Sequence, residues 1–421
     1  MNTTEPQATS AINGKKILLS TIGSRGDIQP LIALALTLKQ HGAHPLLAAG
    51  PNLKEFVNGF GLEFTSNGPD LVKLEKRNHE GIERTEAEIA EGYALYMREA
   101  FSSAYQAAQH CDMFIAGGVT NHAGRSVAEA LNIPFACLAY CPAVIPAPNH
   151  PPPRMILRQN QQAQKRPKSV NKSLWKSFEK EQNDTYLELI NQQRKLLNLA
   201  PIDNVHRFSM SDQPWLAADK TLGPAAKVRG ILTHQVGPLL LEDTQPLSDE
   251  IEAFLQNGPA PIYVGFGSMI FVGSLTGEQI VDACRQSGYR AIIYRGWAEL
   301  DIPQDDDNIL VIGDHNQSKL FPRVAAVIHH GGAGTTTVAA VAGVPQIIIP
   351  RYYDQFYWAH RIQELGIGMT CRSAYSISVD ALVGAIKELV TPQRAARASE
   401  VSKQIELQGA QNTAKLIAAM L

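Results

Sequence analysis

The chain has 421 residues, 44% of them hydrophobic and 19% charged, and a formal net charge of −2. That length exceeds one ordinary hydrophobic core and predicts two domains, and the near-neutral charge gives no electrostatic footprint for nucleic acid. Cys111, Cys137, Cys141, Cys284 and Cys371 stand without a CxxC pair, which argues against a disulfide framework and against structural zinc.

The first stretch, "MNTTEPQATSAINGKK", is polar and lacks the apolar core of a signal peptide. No apolar run reaches the roughly 18–20 residues a membrane span requires, so a reduced, cytoplasmic protein is expected. "KILLST" then reads as a strand buried on both faces. "GSRGD" is a turn, and a helix follows with Pro30 in its first turn and Leu31, Leu34, Ala35 and Leu38 at helical spacing. Gly42 stops it, and "HPLLAAG" begins the next strand, completing a βαβ unit. The rhythm repeats as a strand over 112–117, a helix near 124–131 and a strand over 134–139. An irregular, proline-rich excursion over about 141–172 follows, then a helix near 173–198. Strands resume within 261–269, 289–296, 308–314, 323–330 and 344–350. The expected architecture is α/β, with two doubly wound Rossmann-like domains facing each other across a cleft. The first covers 1–236, a linker 237–250, and the second 251–421, its last helix returning toward the first.

"VIHHGGAGTTTVAAVAGVPQIIIPRYYDQ" (327–355) carries the clearest chemistry. Gly331, Gly332 and Gly334 lie between a strand and a helix, at the sheet edge where ligands of open α/β sheets sit. Bared of side chains, this turn can bring several N–H groups to an anion, with the helix dipole and the Thr335 and Thr336 hydroxyls in support. A diphosphate fits. The adjacent His329 and His330 point to opposite faces of their strand and do not pair on a metal. One imidazole is expected to donate to phosphate while its neighbour packs. The "DDD" run at 305–307 reads as a solvated turn. Asp354 and Gln355 offer a carboxylate and an amide to a polyol, with an N-cap as the simpler role for Asp354.

Together, "HHGGAGTT…AGVPQIIIP…DQ", "GSRGDIQPLIALALTLKQHGA" and "YVGFGSM" resemble the signatures of the UDP-glycosyltransferase superfamily, nearest to the bacterial and fungal branch of sterol and antibiotic glucosyltransferases. The resemblance implies a GT-B fold. It implies that His329, Gly331, Gly332, Ala333, Gly334 and Thr335 hold a donor diphosphate, and that Ser268 reaches the diphosphate or nucleoside. It also implies that Asp354 and Gln355 bind the sugar. Relatives often carry Pro-His-Asp-Trp-Leu before the box; "NQSKLF" (316–321) stands here, leaving a UDP-sugar and a dTDP-sugar as open alternatives for the co-substrate.

The first turn does not fit a dinucleotide site: Gly23 and Gly26 do not make G-x-G-x-x-G, and no acid follows the second strand. Asp27 occupies the position where many superfamily members carry a catalytic histidine, and the branch resembled here also has Asp. The expected reaction is inverting transfer of a hexose, glucose first, to a hydroxyl of a lipophilic small molecule, with Asp27 as general base and without cofactor or metal. An ordinary Asp, with a pKa near 3.9, needs burial for that task. Ser24, Arg25 and Gly26 are placed on the donor side; Arg25 either lowers the Asp27 pKa or reaches the diphosphate. The simpler role for Asp27 is a helix N-cap. His122 is expected in the cleft, beside Asp27 or the acceptor, and Tyr140 on the acceptor side. The basic stretch 154–172 is a solvated loop or a transient contact with anionic lipid. A catalytically silent nucleotide-sugar-binding helper and a nucleotide-sugar epimerase are the competing readings.

Overall fold

The computed structural model describes residues 10–68, 70, 85–118, 121–153, 166–267, 276–296, 302, 306–371 and 377–421. The first sheet consists of β1 (Lys16–Thr21), β2 (His44–Ala49), β3 (Glu63–Ser66), β4 (Met113–Gly117), β5 (Phe135–Ala139), β6 (Trp215–Leu216) and β7 (His234–Gln235). Their order is β3-β2-β1-β4-β5-β6-β7, and every pairing is parallel. The "KILLST" strand is buried from its second residue onward, as helices on both faces of a parallel sheet require. The two-residue strands β6 and β7 were not anticipated, because neither carries a run long enough to read.

The second sheet holds β8 (Ile262–Gly265), β9 (Ala291–Tyr294), β10 (Ile309–Ile312), β11 (Ala326–His329), β12 (Gln346–Ile348) and β13 (Gly368–Thr370). It too is parallel throughout, ordered β10-β9-β8-β11-β12-β13. Between the sheets, Gly237 to Ser248 runs without helix or strand.

Helix α1 (Arg25–Gln40) connects β1 to β2. Helices α2 (Glu86–Ala108) and α3 (Gly124–Leu131) flank β4 in the chain. Helix α4 (Lys168–Leu196) starts five residues before the expected 173. In the second half, α5 (Ala333–Val341) follows β11 and α6 (Gln355–Glu364) follows β12.

The two halves meet through an apolar cluster in which Cys141, Val144 and Leu222 of the first pack with Ala340, Ile348 and Trp358 of the second. Arg361 of α6 donates to the Leu222 and Thr221 carbonyls at 2.9 and 3.0 Å. Finally α7 (Gly409–Met420) returns to the first half, where Ala414 and Ile417 join Ile12, Leu34 and Leu38 in its core.

Candidate functional site

In both sheets the strand order reverses beside the first strand: between β1 and β4 in one, between β8 and β11 in the other. Ligands of doubly wound sheets bind at the carboxyl ends of the strands at that reversal. The turns after β1 and after β11 are the two that the sequence singled out, so topology places "GSRGD" and "HHGGAGT" each at the crevice of its own sheet.

The first turn is built around one carboxylate. Ser24, not Asp27, is the N-cap of α1; Asp27 is its third residue and closes a capping box. The Ser24 N–H donates to Asp27 Oδ2 at 2.7 Å and the Ser24 hydroxyl reaches the same oxygen at 3.2 Å. Among the described residues no hydrogen bond reaches Oδ1. Gly23 makes this possible: a Cβ there would lie 2.2 Å from Oδ2 and 2.7 Å from the Asp27 Cβ. Burial raises the Asp27 pKa, against the lowering effect of the Ser24 hydrogen bonds. The carboxyl therefore holds its proton more readily than an exposed Asp does.

Arg25 is engaged elsewhere than expected. Its guanidinium donates to Asp314 Oδ2 in the second half at 2.9 Å and lies 4.3 Å from the centre of the Phe56 ring. Tyr294 donates to the other Asp314 oxygen at 2.8 Å. Burial pushes the Asp314 carboxyl up, but Tyr294 and Arg25 together hold it below its ordinary value. Arg25 thus neither pairs with Asp27 nor stands free for a diphosphate. Ser24 and Gly26 likewise serve the cap, the Gly26 N–H donating to Ser24 Oγ at 3.2 Å.

The glycine turn has the expected open amides. The first intrahelical bond of α5 runs from Thr336 N to Gly332 O at 3.0 Å, so the N–H groups of Ala333, Gly334 and Thr335 have no helical partner. Gly332 is the N-cap and supplies no side chain. The Thr336 hydroxyl does not cap: buried, it donates back to Gly332 O at 2.8 Å. Gly331, at φ +91°, adopts a backbone closed to other residues, and a Cβ there would lie 2.5 Å from Ile348 Cγ2 and 3.2 Å from Gln355 O.

The two histidines exchange the roles expected of them. His329 is fully buried; its Nδ1 accepts from Gly331 N–H at 3.1 Å and its Nε2 donates to Gln346 Oε1 at 2.9 Å. Both ring nitrogens are spent on holding the turn. His330 lies on the opposite face, its ring against Gly267 and so close to Gly332 that a Cβ there would sit 2.5 Å from Nε2. Its Nδ1 is buried without a partner. Burial lowers its pKa to about 4 and that of His329 to about 3, so both imidazoles are neutral at pH 7. The imidazole that lies against the glycine turn with a ring nitrogen unspent is that of His330.

Asp354 precedes α6 but accepts from no helix amide; the Trp358 indole N–H donates to its Oδ2 at 3.1 Å. Burial lifts its pKa to about 7, and Asp27 adds to the rise. The two carboxylates therefore sense each other across the halves. Gln355 is buried, and its Oε1 accepts from Arg351 N–H at 2.8 Å and Tyr352 N–H at 3.2 Å. It fastens the loop that presents Asp354.

Two expected acceptor contacts are placed differently. The Tyr140 hydroxyl donates to the Asp27 main-chain oxygen at 3.0 Å, bracing the base turn from beneath. His122 is buried with its ring 4.6 Å from that of Tyr186, and its pKa falls to about 4 through burial and the neighbouring His206. It makes no hydrogen bond to Asp27. Ser268, Asp305 and the basic positions Arg154, Arg158 and Lys165 lie outside the described residues. Asp306 and Asp307 do form a turn: Asp306 accepts from Arg285 at 2.6 Å and from Asn308 N–H at 2.9 Å. Among the described residues, no three His, Cys, Asp or Glu side chains gather as a metal-binding group.

Gly23, Asp314 and Gln346 have no role in the sequence reading, and which histidine of the pair faces the turn is open there except through the resemblance. Gly23 and His330 were visible beside recognised residues; Asp314 and Gln346 act through partners 289 and 17 residues away, a link no local pattern carries.

Comparisons with known proteins follow the same division. Residues 17–143 match the glycosyltransferase family 28 N-terminal domain, and residues 300–415 match the erythromycin biosynthesis protein CIII-like C-terminal domain. The vancomycin aglycone glucosyltransferase of Amycolatopsis orientalis is 36% identical over 408 residues, 96% of this chain and 97% of its own. The dTDP-epi-vancosaminyltransferase of the same organism is 33% identical over 393 residues, 92% of each chain. The crystal structure of the glycotransferase of kitacinnamycin superposes with a TM-score of 0.69 at 15% identity, covering 97% of this chain and 99% of that one; this is an agreement of fold.

Proposed function

The chain belongs to the glycosyltransferase family that contains the vancomycin aglycone glucosyltransferase, and from that premise we propose that it transfers a hexose from a nucleoside diphosphate sugar to a hydroxyl of a lipophilic natural product, inverting the anomeric centre. The GT-B architecture, with its two facing parallel sheets, supplies the frame. The observation that carries the finer reading is Asp27: fastened through Oδ2 alone, raised in basicity by burial, and within electrostatic reach of Asp354 in the opposite half.

The steps follow from that arrangement. The diphosphate lies on the amides of Ala333, Gly334 and Thr335 at the N-terminus of α5, with the His330 imidazole beside it. Asp354 holds the sugar. The acceptor hydroxyl attacks the anomeric carbon as its proton passes to Asp27 Oδ1, and the bond from that carbon to the phosphate oxygen breaks. The leaving diphosphate carries the departing charge onto the turn amides and the helix dipole. An α-linked donor then gives a β-glycoside.

For the donor, two relatives support different sugars: the name of one specifies glucose and that of the other dTDP-epi-vancosamine. Glucose is our first choice, with UDP and dTDP as alternatives because "NQSKLF" has no counterpart to the tryptophan of Pro-His-Asp-Trp-Leu. An aglycone is the acceptor the first relative's name supports. Arg166, just ahead of α4, and Lys168 and Lys172 in its first turns support a transient contact with anionic lipid during acceptor capture. Loss of cosedimentation with phosphatidylserine vesicles on replacing them with glutamine would test it.

The deciding experiment pairs nucleotide binding with transfer. Asp27→Asn is expected to retain the thermal shift produced by the preferred nucleotide while transfer falls by about 10²–10⁴-fold, the usual contribution of a positioned base. Full activity in that variant removes Asp27 as the base.

A further inference from the structure

Four described residues other than glycine have positive φ: Asn132, Asn198, Ser211 and Tyr353. Asparagine tolerates that region and serine is small, but a bulky aromatic residue there is an outlier. Tyr353, at φ +58°, immediately precedes Asp354. Such a conformation persists only where its surroundings enforce it, and it clusters at functional sites. The enforcement is visible: Gln355 Oε1 takes the amides of Arg351 and Tyr352, drawing the loop tight. The same loop abuts the glycine turn, since a Cβ on Gly331 would lie 3.2 Å from Gln355 O. A sugar attached to a diphosphate on that turn meets residues 351–355 next.

The left-handed backbone sets the Tyr353 ring into the apolar cluster shared by the halves, with Cys137, Cys141 and Trp358. Burial, then the charges of Asp354 and Asp27, keep its phenol protonated. Among the described residues no hydrogen bond takes up that hydroxyl. It is a donor lying within electrostatic reach of the sugar carboxylate of one half and the base of the other.

We propose that Tyr353 is a sugar-contacting residue, whose hydroxyl donates to an oxygen of the transferred hexose on the side facing Asp27 and whose strained backbone exists to place it there. The inference rests on the glycosyl-transfer reading above and adds a specificity determinant to it. The contact orients the anomeric carbon toward the acceptor and rejects donors lacking an oxygen at that position.

Isothermal titration with UDP, UDP-glucose, dTDP and dTDP-glucose tests it without an acceptor. Tyr353→Phe should bind the preferred bare nucleotide as wild type does and its glucose conjugate about three- to tenfold more weakly, the effect of one lost hydrogen bond. Tyr353→Gly and Tyr353→Ala both remove the ring, so they isolate the backbone: Gly should melt higher, because only Ala is strained at this φ. Wild-type affinity of Tyr353→Phe for the conjugate, with Asp354→Asn weakened, would overturn the role of Tyr353 alone. So would an Ala variant melting above the Gly variant. Wild-type protein that binds none of the four ligands would remove both this inference and the reading beneath it.

Discussion

A single methyl group at residue 23 should displace the proposed base without altering residue 27 itself. In Gly23→Ala the new Cβ would fall 2.2 Å from Asp27 Oδ2, 2.3 Å from Cγ and 2.7 Å from Cβ. Rotation of a flexible tip cannot relieve that overlap, because the Asp27 Cβ is tied to the first turn of α1. The carboxylate must leave, and with it goes the 2.7 Å bond from Ser24 N–H. Losing one charge-assisted hydrogen bond costs about 2 kcal/mol, which corresponds to roughly thirtyfold in kcat/KM if the same loss appears in the transition state. Breaking the Asp27 limb of the capping box should also lower Tm by a few degrees, since a capping hydrogen bond contributes about 1 kcal/mol. The donor turn lies on the other sheet, so nucleotide affinity should be unchanged. Steady-state transfer kinetics, titration calorimetry and a melting curve on the one variant separate these effects. Wild-type kcat/KM in Gly23→Ala would show that the Asp27 carboxylate need not sit where the capping box holds it, and the base assignment would fall.

Other outcomes follow from the same geometry. Gly332→Ala would press a Cβ to 2.5 Å from His330 Nε2; nucleotide affinity should drop about tenfold, and unchanged affinity in a titration would take His330 out of the phosphate site. Arg25→Gln and Asp314→Asn should each lower kcat/KM about two- to fivefold, as for an ion pair with one partner exposed, with recovery in the charge-exchanged double variant; additive losses there would deny the pair any role in closing the cleft. The Asp354 pKa near 7 exceeds its unfolded value, so the folded protein holds that proton over a pH range where the unfolded chain has released it. Its contribution to stability is complete below about pH 4 and is lost as pH rises through 7. Relative to wild type, Asp354→Asn should therefore gain Tm between pH 4 and 7 and level off above; a constant difference across that range contradicts the raised pKa.

The architecture was legible because parallel strands covered on both faces leave continuous apolar runs, as in "KILLST" and "PQIIIP", and because glycine turns mark where those strands end. Short strands such as Trp215–Leu216 were not, since two residues show no period. Within the site, local chemistry could be read and long-range commitment could not. The backbone amides of 333–335 were foreseeable from glycine spacing alone. Which histidine faces the turn depends on Gln346 occupying the other, and Arg25 is diverted by Asp314, 289 residues away. Tyr140, expected on the acceptor side, has its hydroxyl taken by the Asp27 main chain. A side chain's identity announces what it can bind, while its partner is decided by the fold.

The return of α7 to the first half has a mechanical consequence. The polypeptide passes between the halves twice, once through 237–248 and again ahead of Gly409, so neither half can drift away from the other as a bead on one string would. The two crossings lie side by side: Asn412 donates to the Val236 carbonyl at 2.9 Å, and a Cβ on Gly237 would lie 3.5 Å from Gly409 Cα. The second crossing ends on the helix whose opening turn bears Asp27, because Ala414 and Ile417 pack beside Leu34 and Leu38 of α1. The last helix thus ties the second half of the chain to the helix that carries Asp27.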